Sequence, residues 1–176
     1  MRLLKGVVIL LIALVAVLVV GGLLLSPKFD VMRSVLVGAP PERIYPLIAN
    51  PRAWAQWSVW SQRDPAMHVD YAGPESGAGA KWAWKSASEG DGEMSFTAAE
   101  PDKRVAYALY FPDFGTTSGG EFVLQPEPGG TRVTWSMHGD MGPNPLFHWM
   151  ALFADGMVGK DFDAGLARLK AVAEKG

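Results

Sequence analysis

Apolar and polar positions follow three different rhythms along the chain. From Gly6 to Leu25 (GVVILLIALVAVLVVGGLLL) twenty consecutive residues carry no charge. As a helix rising about 1.5 Å per residue, such a run spans about 30 Å, the hydrocarbon thickness of a bilayer. It lacks the polar face of a helix that packs on a soluble core. It is also longer than the roughly 7–15 apolar residues of a cleavable signal peptide, and it passes through Leu23-Leu24-Leu25 into Ser26-Pro27 without a small-x-small cleavage site. An uncleaved membrane helix over residues 6–25 is therefore preferred to a signal peptide or a buried core helix. Gly21-Gly22 reads as tolerated packing rather than a dimer motif. Arg2, Lys5 and the start amine place the N-terminus in the cytoplasm, with the domain beyond the helix outside it in a periplasm-like space. The expected division is an anchor over 1–27 and one ligand-binding domain over 28–176.

The second rhythm has period two. Phe29 to Val37 opens it with a β-rich stretch. Ala39-Pro40-Pro41-Glu42 then starts a short helix through Ile44, Tyr45, Leu47 and Ile48, since proline fits a first helical turn and Glu42 complements its positive end. Asn50-Pro51 ends that helix, and a second short helix runs from Pro51 to Trp57. Six strands come next, near Met67–Tyr71, Lys81–Lys85, Glu93–Thr97, Arg104–Phe111, Glu121–Gln125 and Arg132–His138. Alternation bounded by Gly, Pro and Asp predicts an antiparallel sheet with one buried face. The inward set is Trp82, Trp84, Met94, Phe96, Val105, Tyr107, Leu109, Phe122, Leu124, Val133, Trp135 and Met137.

The third rhythm, from Pro145 to Glu174, repeats every three or four residues: Leu146, Trp149, Met150, Phe153, Met157, Phe162, Leu166, Leu169, Ala173. This predicts a long amphipathic helix. Gly156 and Gly159 predict a bend or break near 155–160. The whole is an α+β fold in which a curved antiparallel sheet wraps around a long C-terminal helix, leaving a hollow between them.

Charge and composition narrow the function. Beyond the anchor stand 14 basic and 18 acidic residues, a formal charge of −4 with no basic run, which speaks against nucleic acid as a partner. The chain has no cysteine, so disulfides, thiolate metal sites and a cysteine nucleophile are excluded. The three histidines, His68, His138 and His148, show no zinc spacing with the carboxylates, and no metal is expected. Gly73–Gly79 precedes a strand rather than a helix, so it reads as a hairpin turn and not a phosphate cradle; no cofactor is expected. Gly115–Gly120 reads as a loop without the context of a nucleophile elbow. His138, Tyr107 and Tyr110 are weak acid/base candidates. His138 falls out of phase with Trp135 and reads as a solvent-facing strand end, and His148 reads as a surface histidine. Glu93 and Glu121 fall on the outward phase.

Five stretches together resemble the SRPBCC (START-like, helix-grip) superfamily, in its polyketide cyclase/dehydrase and lipid-transport-like branch. They are Val35–Tyr45 with its strand, Ala-Pro and helix; Trp54-Ala55-Gln56-Trp57-Ser58-Val59-Trp60 with Asp64-Pro65; Tyr71-Ala72-Gly73-Pro74 leading to Gly77-Ala78-Gly79-Ala80 and Trp82; Gly130–Trp135; and Gly165–Lys170. They cover nearly all of 31–172. The resemblance implies a deep cavity for an apolar ligand between sheet and long helix, and it implies no single reaction. Seven tryptophans and eight methionines supply rigid and adaptable apolar walls. Trp60, Trp82, Trp84, Met94, Phe96, Tyr107, Leu109, Phe122, Trp135, Met137, Met150, Phe153 and Met157 are the residues expected to bind the ligand. Access is expected past Phe111–Gly120 and Gly142–Pro145. The leading expectation is a membrane-anchored domain that holds a lipid or other small hydrophobic molecule. A cyclase/dehydrase-like or hydrolase enzyme and a protein-interaction module at the membrane are the alternatives. The oligomeric state is left open.

Overall fold

The computed structural model describes residues 2–113 and 115–175. Helix α1 (Arg2–Leu24) precedes strand β1 (Lys28–Val37), helix α2 (Pro41–Ala49), a 3-10 helix (Pro51–Gln56), helix α3 (Val59–Arg63) and strands β2 (His68–Ala72), β3 (Lys81–Lys85), β4 (Gly92–Glu100), β5 (Arg104–Phe111), β6 (Thr116–Glu127) and β7 (Gly130–Asp140). Helix α4 (Pro145–Lys175) closes the chain. The strands form one antiparallel sheet in the order β1-β7-β6-β5-β4-β3-β2. Strands β2 to β7 are joined by successive hairpins, whereas β1 crosses over to pair with β7, from Lys28 opposite Asp140 to Val37 opposite Thr131. This is the α+β arrangement that the periodicity predicts and the helix-grip fold that the resemblance implies.

The inward phase is buried along every strand from β4 to β7, and Trp84 on β3 is half-buried. Helix α4 packs chiefly on β1. Over the middle of the sheet, α2 and the 3-10 helix form the lid of the core, where Trp54 and Trp57 meet Phe122 and Trp135 with ring centroids 5.7–6.0 Å apart. Phe162 of α4 stacks on Trp135 at 3.8 Å. Each lid tryptophan also donates its ring N–H to a carbonyl of α2: Trp54 to Ile48 at 2.8 Å and Trp57 to Leu47 at 2.9 Å. Large apolar area and a satisfied polar edge together fix the lid in place.

Three expectations are corrected. The stretch from Thr116 to Gly120 is strand rather than loop. Its neighbours β5 and β7 supply a ladder on both sides, with Ser118 opposite Leu109 and Gly139, and that pairing overrides the weak strand propensity of glycine. The second short helix is a 3-10 helix ending at Gln56, and a further helical turn, α3, comes after it. Helix α4 runs unbroken through Gly156 and Gly159. Gly159 sits where the Arg33 guanidinium of β1 crosses the helix, and a Cβ there would collide with it. From that position Arg33 reaches Asp155 at 2.8 Å and Asp163 at 3.1 Å, one on each side of the glycine. The missing side chain admits a clamp that holds the helix to the sheet.

Helix α1 touches the rest only near its C-terminal end. Gly21 and Gly22 pack under Trp149 and the Pro145 backbone, where added side chains would clash. Trp149 donates to the Leu18 carbonyl at 3.0 Å. His148, expected at the surface, is buried in this crossing, with Nδ1 2.7 Å from the Gly22 carbonyl and Nε2 3.0 Å from that of Gly142. From Leu3 to Leu18 the residues of α1 are exposed, and Leu3–Leu24 is long and apolar enough to cross a membrane.

Candidate functional site

A cavity of about 260 Å³ lies between the sheet and the α3–α4 side of the molecule. That is just under the roughly 300–1,000 Å³ usual for small-molecule sites. Each of its walls obeys a local rule. Strands β4, β5 and β7 supply Met94, Leu109 and Met137 from their inward phase, and β2 and β3 supply Val69, Tyr71, Trp82 and Trp84. Helix α4 supplies Met157, Val158, Asp161 and Phe162, which recur at the i, i+1, i+4, i+5 positions of one face. The 3-10 helix, α3 and the junction between them supply Trp54, Trp60, Ser61 and Ser58. The exposed lining residues, Ala55 and Met157, mark the open side.

Of the thirteen residues expected to bind a ligand, Trp60, Trp82, Trp84, Met94, Tyr107, Leu109, Trp135, Met137 and Met157 line this cavity. The other four do not. Phe96 and Phe122 are sealed in the core behind Trp54, at 6.3 and 5.7 Å between ring centroids. Met150 and Phe153 lie too early on α4, which reaches the cavity only from Met157 onward; Phe153 faces outward, 57% exposed. Of the two expected access segments, Phe111 lines the cavity and Gly142–Pro145 does not. The β2 wall (Met67, Val69, Tyr71) was available from strand alternation. Asp161, Glu89 and Ser58 were not, because polar residues in an apolar wall leave no periodic trace.

Of the acid/base candidates, only Tyr107 reaches the cavity. Its hydroxyl donates to the Ser136 carbonyl at 2.9 Å and accepts from the Trp135 ring N–H at 3.0 Å. Burial pushes its ionisation well above the ordinary tyrosine range. Tyr110 and His138 are exposed and lie off the cavity lining, in the opposite phase from Leu109 and Met137. Among the described residues no group of three His, Cys, Asp or Glu side chains is placed to hold a metal ion.

The charged groups of the cavity gather on its α3–α4 side. The Asp161 carboxylate accepts from the Trp60 ring N–H at 3.2 Å and from Arg63 at 2.9 Å, with a second oxygen also on Arg63. Arg63 reaches Glu89 at 3.5 Å. The bond to Asp161 pushes the guanidinium's ionisation further above its already high ordinary value. The Ser58 hydroxyl precedes α3 without capping it and makes no hydrogen bond, although the residue is only 4% exposed. Because no fully buried side-chain polar atom among the described residues lacks a partner, that hydroxyl opens onto the cavity it lines.

A helix-grip sheet enclosing an apolar cavity against a long C-terminal helix defines the class. Residues 28–174 match the family described as polyketide cyclase / dehydrase and lipid transport, and the chain belongs to that family. An uncharacterized protein of Mycobacterium tuberculosis is 30% identical over 102 residues, which are 55% of this chain; the chain spans about 57% of that relative's length. A solved protein of Rhizobium leguminosarum superposes with a TM-score of 0.63 at 16% identity, covering 85% of this chain and 96% of that one. One from Chromobacterium violaceum superposes at 0.61 with 18% identity, covering 83% and 98%. The di-domain ARO/CYC BexL from the BE-7585A biosynthetic pathway superposes at 0.60 with 18% identity, covering 84% of this chain and 50% of that protein. These three share the fold.

Proposed function

We propose that residues 1–27 anchor the chain in a membrane and that residues 28–176 hold a small hydrophobic ligand or lipid in the cavity between sheet and α4, as a binding domain rather than a catalyst. The observation that carries this reading is an apolar cavity whose open side includes the same long helix that α1 grips at its first turns. A tether of that kind raises the local concentration of the cavity beside a bilayer, where apolar ligands reside. The N-terminal charges favour a cytoplasmic start and a periplasmic domain. Turnover is not favoured: Tyr110 and His138 lie off the cavity, and the hydroxyl hydrogen of Tyr107 is committed to a backbone carbonyl.

The test uses the full chain, solubilised and transferred to nanodiscs. Mass spectrometry of the extracted protein is expected to recover a bound apolar molecule. Leu109→Trp, which fills the cavity from the sheet side, is expected to release it. Recovery of the same molecules from the variant, or of none from either protein, refutes the binding role.

A further inference from the structure

The cavity has two chemically different sides. Toward the sheet the hydrocarbon and thioether surfaces of Met94, Leu109 and Met137 share the wall with the rings of Tyr71, Trp82, Trp84 and Tyr107. Toward α3 and α4 the cavity presents the Ser58 hydroxyl and the Asp161 and Glu89 carboxylates. Among the described residues, the cation that pairs with these carboxylates is Arg63, and it is already held between both of them. Two carboxylates against one guanidinium leave this side negative by one unit. Asp161 spends its acceptor capacity on Trp60 and Arg63 but keeps one lone-pair direction, and its side chain is 17% exposed. Ser58 is the complementary feature: a residue more than nine-tenths buried whose hydroxyl opens into the cavity and makes no hydrogen bond to another protein group. That hydroxyl can be met by water, and a ligand hydroxyl entering the cavity can take the water's place.

From this we infer that the cavity selects a neutral, hydroxyl-bearing amphiphile, a phenol- or alcohol-type molecule. Its hydroxyl docks at Ser58 beside Asp161, and its apolar body lies against Met94, Leu109 and Met137. A ligand hydroxyl can accept from Ser58 and donate to a carboxylate at once. A ligand carboxylate or phosphate brings a like charge to a partly desolvated negative site and can recruit Arg63 only by breaking its bonds to Asp161 and Glu89. The proposal rests on the reading that the cavity holds a ligand, and it narrows the ligand's class to exclude anionic lipid headgroups and free fatty acids as preferred occupants.

The test titrates 2-naphthol and 2-naphthoate, one ring system with a neutral or an anionic polar group at pH 7, into nanodisc-held full-chain protein by calorimetry. Empty nanodiscs and the Leu109→Trp protein serve as blanks. Binding of 2-naphthol is expected to be at least tenfold tighter than that of 2-naphthoate. Ser58→Ala, a small change at a position with open space beside it, is expected to weaken 2-naphthol by about fivefold to tenfold, the worth of one hydrogen bond, and to leave 2-naphthoate unchanged. If 2-naphthoate binds as tightly as 2-naphthol, or if Ser58→Ala leaves 2-naphthol unchanged, the proposal is overturned while the ligand-holding reading stands. If neither probe binds above the blanks, the ligand-holding reading fails and takes the proposal with it.

Discussion

Tyr107 shows how a residue's role is decided by atoms far away in sequence. Alternation along β5 turns it inward, and a tyrosine beside a cavity is a natural acid or base. Whether its proton is available depends on the carbonyl of Ser136, 29 residues further on, and on the ring N–H of Trp135. Both are engaged, so its hydroxyl is a strut between β5 and β7. Tyr107→Phe is expected to cost about 1–3 kcal/mol, because it strands the buried Trp135 N–H. Alkaline pH acts on the same group. Burial raises the ionisation of Tyr107, so as pH climbs the unfolded chain deprotonates first, near pH 10. The stability tied to this group is therefore complete below about pH 10 and is lost as pH rises further. Thermal unfolding measured between pH 8 and 12 should fall more steeply for the native protein than for Tyr107→Phe. Parallel slopes would show that the hydroxyl is solvated. The same dependence on distant partners hides Ser58 and Asp161 from a reading of the chain: each stands out only when its neighbours are known.

At the scale of elements, what repeats is legible and what is a single long-range contact is not. The six later strands, the proline-started α2 and the extent of α4 come from period and punctuation, and the inward phase on β4 to β7 holds without exception. Of the bend or break expected in α4, the break does not occur, for a reason no local rule contains. Gly159 is weak for helix propensity, yet it is the gap through which Arg33 of β1 reaches Asp155 and Asp163. That gives a mutant cycle with a definite sign. Replacing glycine by alanine inside a helix ordinarily gains about 1 kcal/mol. In an Arg33→Ala background Gly159→Ala should gain about that amount, because the guanidinium that supplies the three nearest atoms is gone. With Arg33 present the new methyl displaces the guanidinium from Asp155, and the gain should shrink or reverse. Equal gains in both backgrounds, measured by denaturant unfolding, would show that no clamp operates there. The acid limb carries the same signature. Hydrogen bonding to Arg33 holds the Asp155 carboxyl below its usual range, so the stability from this pair is present above the ordinary carboxylate value near 3.9 and is lost as pH falls through the depressed one.

Over the whole molecule, the crossing of α1 and α4 decides how the cavity is presented. Leu18 lies six residues before the end of α1 at Leu24, about 9 Å along the helix axis. Trp149 reaches that depth through its bond to the Leu18 carbonyl, and Pro145 lies on Gly22. If α1 spans a bilayer, these contacts carry the first turns of α4 to its surface. The sequence of those turns fits that position: from Pro145 to Ala154 there is no Asp, Glu, Lys or Arg, and Leu146, Leu152 and Phe153 are exposed. Tryptophan is favoured at the same boundary. In the sequence Gly21-Gly22 reads as tolerated packing, and neither the close crossing it permits nor a partner over 120 residues away is legible there. The absence of cysteine makes the geometry measurable, since a single introduced cysteine carries an environment-sensitive fluorophore without a competing site. In proteoliposomes containing doxyl-labelled phosphatidylcholine, a label at Ile12→Cys reports on the anchor, one at Phe153→Cys on the α4 surface, and one at Pro128→Cys on the β6–β7 turn, at the far end of β7 from Asp140. Quenching is expected at 12 and 153 and not at 128. Quenching at 12 alone would leave the anchor in place and turn the cavity away from the lipid; no quenching at 12 would remove the membrane from the function altogether.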